Sequence, residues 1–372
     1  MTNAESLASW LRLTLISGIG GETQRKLLAA FGLPETVFSA GYSALRGVIG
    51  EKATSRLLDT DNQTAVSAAL EWSGADGQHI ITLADAEYPQ YLLELPDPPT
   101  LIYVRGRIDL LNRPALAIVG SRNATPQGLQ NAERFAAAFA EAGLVIASGL
   151  ALGVDGAAHR GALAAGGDTV AFIGTGIDRI YPARNRDLAL EIAAKGAIVS
   201  EFPLATPVSA ANFPRRNRLI SGFSRGVLVV EAAVESGSLI TARLAAEQGR
   251  EVFAIPGSIH SPQSRGCHKL IKQGAKLVET AQDVLEELRW GDSRSSQPST
   301  NTIDGETTNE SANEPANELL SAMGFDPFSL DELAGRSGLT ADVLSVMLLH
   351  LELEGRVASL AGGRYQRLLS TE

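Results

Sequence analysis

The chain has 372 residues with a net charge of −10; 44% of the residues are hydrophobic, 20% charged and 5% aromatic. This composition predicts two or three folded domains and excludes a fibrous or wholly disordered chain. A single cysteine excludes a disulfide framework, and no apolar run approaches the roughly 18 residues that a membrane-spanning helix needs. Without a basic segment ahead of an apolar stretch at the start, we expect a soluble cytoplasmic protein with no membrane insertion.

Residues 1–80 are predicted to form a small helical domain. Leucines lead into Gly18-Ile19-Gly20, and apolar residues at helical spacing follow this turn. A Gly-Ile-Gly turn is similar to that of a helix-hairpin-helix or SAM-like unit, whose backbone N–H groups can meet a phosphate. A plain helix–helix turn explains the pattern as well, and we favour it because a short glycine motif is weak evidence. Residues 81–112 are rich in proline and are predicted to form an extended connector.

Residues 113–290 alternate between apolar runs and helical segments. The runs that fit buried strands are Leu116–Val119, Leu144–Ala147, Thr169–Ile173, Ala197–Ser200, Val227–Val230, Val252–Ile255 and Lys276–Val278. Because parallel strands need crossover connections, the pattern predicts an α/β domain with a doubly wound, mostly parallel sheet. Residues 113–280 carry 18 Lys and Arg against 13 Asp and Glu, and this local charge of +5 is compatible with an anion site.

The last part of the chain is predicted to be a linker and a small domain. Residues 291–317 are polar and nearly free of large apolar side chains, which is typical of a flexible linker. Residues 318–372 have the helix, turn, helix and hairpin pattern of a winged-helix-like domain. Its long helix contains no Lys or Arg from Thr340 to Leu353, so we expect it to bind a protein, or to bind DNA weakly.

Polar and glycine motifs follow several of the predicted strands. They are Gly120-Ser121-Arg122, Ser148–Gly153, Tyr181–Asn185 and Ser236–Thr241. In an open parallel sheet the ligand site lies beyond the carboxyl ends of the strands, where glycines permit close approach and helix N-termini favour an anion. Serine N-caps would explain the last motif alone, but not motifs at four separate turns.

Arginines accompany these motifs, and their planar fork suits phosphate oxygens. They are Arg122, Arg184, Arg215, Arg216 and Arg218. We expect Arg122 and Arg218 to face the site, and a chain of phosphates to lie across several helix N-termini with weak base preference. Three aromatic residues could stack on bases, although each could equally be core: Phe213, Phe223 and Tyr181.

Several common sites are missing from the sequence. There is no P-loop motif and no G-x-G-x-x-G turn after the first parallel strand, so ATP hydrolysis and NAD binding are not expected. The five histidines have no metal-ligand spacing. We interpret His159 as a packing residue and Cys267 as inert. We therefore expect no cofactor, no metal and no catalytic residue.

Taken in order, these motifs resemble the DNA-processing protein A family (DprA, also called Smf). The stretches that carry the resemblance are Gly120–Arg122, Ser148–His159, Gly174–Asp178, Ser200–Pro203, Phe213–Gly222, Ser236–Thr241 and Pro256-Gly257. They cover nearly the whole middle domain, and the flanking segments look like the helical and winged-helix modules of many members. The resemblance implies an extended Rossmann fold and a non-enzymatic protein that binds single-stranded DNA, protects incoming strands in natural transformation and helps to load the RecA recombinase.

The resemblance also implies particular residues. It points to DNA contacts at Ser121, Arg122, Gly149, Arg184, Asn217 and Arg218. From the motifs themselves we add Asn185, Arg216, Ser236, Gly237, Ser238 and Thr241 as candidate DNA-binding residues. The family forms homodimers, and candidate interface residues are Val284, Leu285 and Leu288, although the apolar side of a helix is by default core.

Two other functions compete with this interpretation. Phosphoribohydrolases of the lysine-decarboxylase-like group carry P-G-G-x-G-T-x-x-E at this turn, but here Thr241 is followed by Ala242-Arg243 and the proline is absent. The acid that would act on the leaving base is therefore missing. Release of free base from nucleoside monophosphates would favour that enzyme. For a protein-interaction scaffold, Arg122→Ala would leave DNA binding unchanged.

Overall fold

The structure is a computed structural model that describes residues 4–290, 319–320 and 323–368. Six short helices begin it: α1 (Ala4–Thr14), α2 (Gly21–Phe31), α3 (Pro34–Ser39), α4 (Tyr42–Ile49), α5 (Glu51–Asp59) and α6 (Gln63–Ser73). They enclose a small core around Leu13, Leu27 and Leu57. A second set of apolar side chains, including Leu11 and Val66, packs these helices against the sheet that follows.

That sheet has nine strands in the order β1-β2-β6-β5-β4-β3-β7-β8-β9. The strands are β1 (Gln78–Thr82), β2 (Leu101–Gly106), β3 (Ala115–Val119), β4 (Val145–Ser148), β5 (Thr169–Phe172), β6 (Ala197–Ser200), β7 (Gly226–Val229), β8 (Glu251–Ala254) and β9 (Lys276–Leu277). From β3 to β9 every pairing is parallel, which confirms the predicted doubly wound sheet. The strand order reverses between β3 and β7, where such folds place a ligand.

Strands β1 and β2 lie partly in the segment that the sequence predicts as a connector. They pair antiparallel with each other. Strand β2 also pairs antiparallel with β6, where Tyr103 lies opposite Ser200. The run Leu101–Val104 is buried, as a central strand requires, and the prolines that precede it hide this signal in the sequence. Residues 78–106 therefore extend the sheet rather than merely joining two domains.

Helices cover both faces of the sheet, since alternate residues of each strand point to opposite sides. They are α7 (Gln90–Leu93), α8 (Pro126–Glu141), α9 (Val154–Ala164), α10 (Arg186–Lys195), α11 (Asn212–Phe223), α12 (Gly237–Glu247), α13 (Arg265–Lys272) and α14 (Ala281–Glu287). Helices α11, α12 and α13 share one core with Ala117 and Val119, whereas α8, α9 and α14 share another with Leu116 and Ile118.

The predicted interface residues on α14 belong to that second core. Val284 is fully buried and Leu288 is 5% exposed, in the same cluster as Phe139. Leu285 is partly buried against the same cluster. Because this apolar face covers the sheet of its own chain, the expectation that Val284 and Leu288 contact a partner is wrong.

The C-terminal part has the predicted winged-helix form. It comprises β10 (Phe328–Ser329), α15 (Leu330–Ser337), α16 (Ala341–Leu353), β11 (Val357–Leu360) and β12 (Arg364–Arg367). The three strands form an antiparallel sheet in the order β10-β12-β11. The predicted linker at 291–317 lies outside the described residues. Among the described helices, none combines the length and apolar character that a membrane crossing requires.

Candidate nucleic-acid interface

A cleft of about 610 Å³ lies at the carboxyl edge of the sheet, where the strand order reverses. Its lining comes from the turn after β3, the first turns of α11 and the start of α12, and we call it the rim cleft. It brings together most of the predicted site residues: Ser121, Arg122, Arg216, Asn217, Ser236, Gly237, Ser238 and Thr241. The sequence motifs therefore converge on one place, as the rule for open parallel sheets predicts.

Arg122 is the exposed cation of the rim cleft. Its guanidinium carbon lies 5.0 Å from the centre of the Phe213 ring, which is the geometry of a cation–π contact. It forms no ion pair with any residue that the structure describes. Its charge is therefore available to an anionic ligand.

Arg216 supplies a second, buried cation behind Arg122. It is 4% exposed, and its Nη1 donates to the carbonyl oxygen of Phe172 at 2.9 Å. Burial lowers the pKa of Arg216 to about 10, so the side chain stays positive at neutral pH. Burial raises the pKa of the neighbouring Asp155 carboxyl, and the charge of Arg216 opposes that rise.

Gly149 forms the seat of this buried cation. A Cβ at this position would overlap Arg216 Nη1 and would lie 2.6 Å from Asp155 Oδ2. The resemblance places Gly149 among the DNA contacts, but in the structure Gly149 provides space for the Arg216 guanidinium and does not line the rim cleft itself.

Asn185 and Arg184 do not belong to the lining of the rim cleft. The Asn185 side chain is 8% exposed, and its amide donates to the carbonyl oxygens of Leu150 at 2.9 Å and Ala151 at 3.0 Å. These bonds hold a loop in which Leu150 has a φ of +59°, a strained conformation for leucine. Contrary to the prediction, Asn185 is therefore committed to the loop, whereas Arg184 is exposed.

Backbone N–H groups at the starts of helices α8 and α9 donate hydrogen bonds to acceptors of the same chain. At α8, Thr125 donates from its backbone N–H at 2.9 Å and from Oγ1 at 2.6 Å to the carboxylate of Glu231. Burial raises the pKa of Glu231, and these two hydrogen bonds oppose the rise. At α9, the N–H of Val154 donates to the carbonyl oxygen of Ser121 at 3.1 Å. The prediction that phosphates lie across several helix N-termini is therefore wrong for α8 and α9.

The start of helix α12 lines the rim cleft through Ser236, Gly237 and Ser238. Its N-cap Ser236 accepts a hydrogen bond from the N–H of Ser238 at 3.4 Å, and the two hydroxyl oxygens lie 2.7 Å apart. The eleven residues of α12 give this end a partial positive charge that favours an anion.

Arg218 is placed differently from its prediction. Its Nε lies 3.2 Å from Asp97 Oδ2, and its Nη2 forms an ion pair with Glu201. Residues two apart on a helix point to nearly opposite sides, so Arg216 lines the rim cleft and Arg218 does not. The partners of Arg218 neutralise its charge, and it is not a free phosphate ligand.

Of the three aromatic candidates for base stacking, two lie near Arg122 and one belongs to the core. The rings of Phe213 and Tyr181 lie 6.1 Å apart beside Arg122, and Tyr181 is 44% exposed. Phe223 is 1% exposed and packs edge-on against Phe172, so it is core and cannot stack on a ligand. Phe213 and Tyr181 therefore remain the candidates for stacking.

His159 and Cys267 pack as expected. His159 Nδ1 lies 2.7 Å from Thr169 Oγ1, and burial lowers the pKa of the imidazole to about 3. Burial raises the pKa of the Cys267 thiol to about 12. Across the described residues, no group of three or more His, Cys, Asp or Glu side chains is placed to hold a metal ion.

Known proteins share both the sequence and the fold. Residues 79–289 match the family model described as DNA recombination-mediator protein A, and residues 305–363 match the DprA winged helix domain. Protein Smf of Escherichia coli is 40% identical over 360 residues, which cover 96% of this chain and 95% of that protein. The X-ray structure of DprA from Streptococcus pneumoniae has a TM-score of 0.67 at 38% identity, over 77% of this chain and 98% of that one.

A structure of DprA from Helicobacter pylori, described in work on its single-stranded DNA binding mode, has a TM-score of 0.52 at 33% identity. It covers 57% of this chain and 96% of that one. The first family model spans every residue of the rim cleft, and the E. coli relative matches nearly the full length. This likeness goes well beyond a shared α/β sheet, and the chain belongs to the DprA/Smf family of DNA-processing proteins of recombination.

Proposed function

We propose that the protein binds single-stranded DNA in the rim cleft and holds its sugar–phosphate backbone without reading the sequence. The observation that carries this proposal is the exposed Arg122, which forms no ion pair with a described carboxylate and lines the same cleft as the N-terminus of α12. A guanidinium can hold a phosphate through two parallel hydrogen bonds, and a helix N-terminus offers backbone donors to a second phosphate.

Arg216 and Phe213 are already positioned in the rim cleft to contact such a strand. Arg216 adds a fixed positive charge that needs no side-chain ordering on binding, because Phe172 and Gly149 already hold its guanidinium in place. The Phe213 ring lines the cleft and offers a face to a base. Stacking of this kind needs an unpaired base and tolerates any sequence, which favours single strands over duplexes.

The relative from Helicobacter pylori, studied for its single-stranded DNA binding mode, supports this proposal. We extend it to the wider role that the family resemblance implies: the protein protects incoming strands, forms a homodimer and assists RecA loading without being an enzyme. Two linked copies on one strand would raise the affinity well above that of one site. Sedimentation velocity tests the dimer, and a RecA pull-down with and without oligonucleotide tests the partner.

The decisive experiment compares Arg122→Ala with Lys195→Ala by fluorescence anisotropy on single- and double-stranded oligonucleotides. Lys195 is a charge-matched control, since it ends α10 and pairs with Glu191 on the surface. Loss of a charged hydrogen bond costs about 1.5–3 kcal/mol, so Arg122→Ala should weaken single-strand binding roughly ten- to hundredfold. The slope of log affinity against log salt should fall by about 0.7 for each lost phosphate contact.

Two outcomes would contradict the proposal. Unchanged single-strand affinity in Arg122→Ala, with the same salt slope, would favour a protein-interaction scaffold. Release of free base from nucleoside monophosphates by the wild-type protein would favour the phosphoribohydrolase.

A further inference from the structure

A second cleft, of about 780 Å³, lies between the N-terminal helices and the sheet, and we call it the domain cleft. It is lined by the start of α2, the segment before β2, the turn after β6, and Pro214, Arg215 and Arg218 of α11. Pro214 also lines the rim cleft. The two clefts are therefore neighbours across the first turn of one helix.

The domain cleft contains an acceptor without a donor. Glu201 has a 5% exposed side chain, and one of its carboxylate oxygens is taken by Arg218. The other oxygen, Oε1, is buried and has no hydrogen-bond partner among the described residues; a second cation, Arg215, keeps its Nε 4.0 Å away. Buried polar atoms are nearly always paired, so this oxygen calls for a donor from a ligand.

Donors lie on the other side of the same cleft. Helix α2 has eleven residues, and its N-cap Gly20 has extended backbone angles (φ −78°, ψ 170°) and offers no side chain to cap the first N–H groups. Gly20 and Gly21 both line the cleft, and Arg215 on the facing wall is 60% exposed. A helix N-terminus and an exposed guanidinium together suit a phosphate.

A ligand that fits both walls must carry an anion and, a short distance away, a hydrogen-bond donor. A nucleotide has this combination, because carboxylates accept from the exocyclic amino group of bases such as cytosine. Thymine has no exocyclic amino group, and its one base N–H, at N3, lies between two carbonyl oxygens that a carboxylate repels, so thymine fits Glu201 Oε1 less well than cytosine.

We propose that the domain cleft is a second nucleotide site for the strand held in the rim cleft. One phosphate lies at the α2 N-terminus beside Arg215, and an unpaired, amino-bearing base donates to Glu201 Oε1. This inference rests on the proposed single-strand binding in the rim cleft, and it gives the N-terminal helices a direct part in holding DNA.

The test uses a substitution that caps α2 without disturbing the fold. A Cβ at Gly20 would have no atom within 4 Å, so Gly20→Asp fits and its carboxylate occupies the N–H groups that the phosphate needs. Gly41→Asp is a matched control: Gly41 is the uncapped N-cap of α4, also extended (φ −69°, ψ 153°) and with no atom within 4 Å of a Cβ, and it does not line the domain cleft.

We expect both variants to melt at or above the wild-type temperature, since each gains a cap. Gly20→Asp should weaken binding of oligo(dC) roughly three- to tenfold and lower the salt slope by about 0.7, whereas Gly41→Asp should bind like wild type. Wild-type affinity in Gly20→Asp, or equal losses in the two variants, overturns the second site. If Arg122→Ala still weakens binding roughly ten- to hundredfold in that case, the rim cleft proposal survives the failure of this one.

Base recognition is tested by the ratio of affinities for oligo(dC) and oligo(dT) of equal length. We expect this ratio to be larger for the wild-type protein than for Gly20→Asp, because displacing the phosphate removes the base from Glu201. A ratio that is the same in both proteins overturns the assignment of Glu201.

Discussion

The clefts on the two sides of α11 use arginine in opposite ways. In the rim cleft, Arg122 is exposed and has no ion-pair partner among the described residues. In the domain cleft, Arg218 is 13% exposed and is neutralised by Asp97 and Glu201. The difference shows that a cluster of arginines in a sequence does not say which charges serve a ligand and which serve the fold; the acids that distant segments bring nearby decide it.

The largest expected effect that tests this contrast is the loss of folding stability in Arg218→Ala. Arg218→Ala leaves Glu201 buried without its cation, and removing one partner of a buried pair costs about 3–5 kcal/mol. We expect this loss in urea denaturation, whereas Arg215→Ala, which removes an exposed cation on the same helix, should change stability by less than about 0.5 kcal/mol. Adding Glu201→Gln to Arg218→Ala should recover part of the loss. Equal stabilities of the two single variants would place Arg218 with the ligand-binding arginines.

A smaller expected effect is the pH dependence of folding stability that His159 contributes beneath the rim cleft. His159 titrates near pH 6.5 in the unfolded chain, but its folded-state pKa is about 3, so the unfolded state binds the proton first as the pH falls. Its stability contribution is complete above pH 6.5 and is lost towards pH 3, with about 2–3 kcal/mol gone at pH 4.5. Burial raises the pKa of the Asp155 and Glu231 carboxyls. These two groups therefore favour the folded state as the pH falls, which opposes the effect of His159.

The measurement is therefore a comparison of the pH dependence of urea denaturation in wild type and His159→Gln. The variant should lose stability less steeply between pH 6.5 and 4.5. Parallel curves would mean that His159 is protonated in the folded protein, and the positive charge under the cleft would then exceed that of Arg216 alone.

The smallest effect concerns the seat of Arg216. Gly149→Ala forces the guanidinium away from the Phe172 carbonyl, so single-strand affinity should fall about tenfold, or roughly 1.4 kcal/mol. Gly47→Ala is the control, since a Cβ there meets no atom within 4 Å and Gly47 lies in α4. Anisotropy titrations of both variants give the answer. Unchanged affinity in Gly149→Ala would show that the buried cation does not contribute to the rim cleft.

Much of this architecture can be predicted from the sequence because the relevant signals are local. Buried parallel strands such as Val227–Val230 are short apolar runs, and the motifs at their ends collect at one edge of the sheet by topology alone. Strand β2 escapes prediction because its pairing with β6 joins residues about a hundred positions apart, and the prolines before it are typical of a loop.

The errors at the site have a similar origin. Unlike Arg122, Arg218 is paired with an acid, Asp97, that lies 121 positions before it in the chain. Nothing near Arg218 in the sequence indicates that contact. Asn185 is likewise taken by Leu150, 35 positions away. The family resemblance points to an interface at Val284 and Leu288, but an apolar helix face at the end of an α/β domain first covers its own sheet.

The carboxylate of Glu231 at the start of α8 has one more consequence. In dinucleotide-binding folds this first helix receives the pyrophosphate, and here an acid of the same chain already holds that place through Thr125. Free NAD or ATP would meet electrostatic repulsion at the helix on which its binding normally depends. The phosphates of the proposed single-stranded DNA ligand would therefore have to be held at other parts of this edge, away from the start of α8.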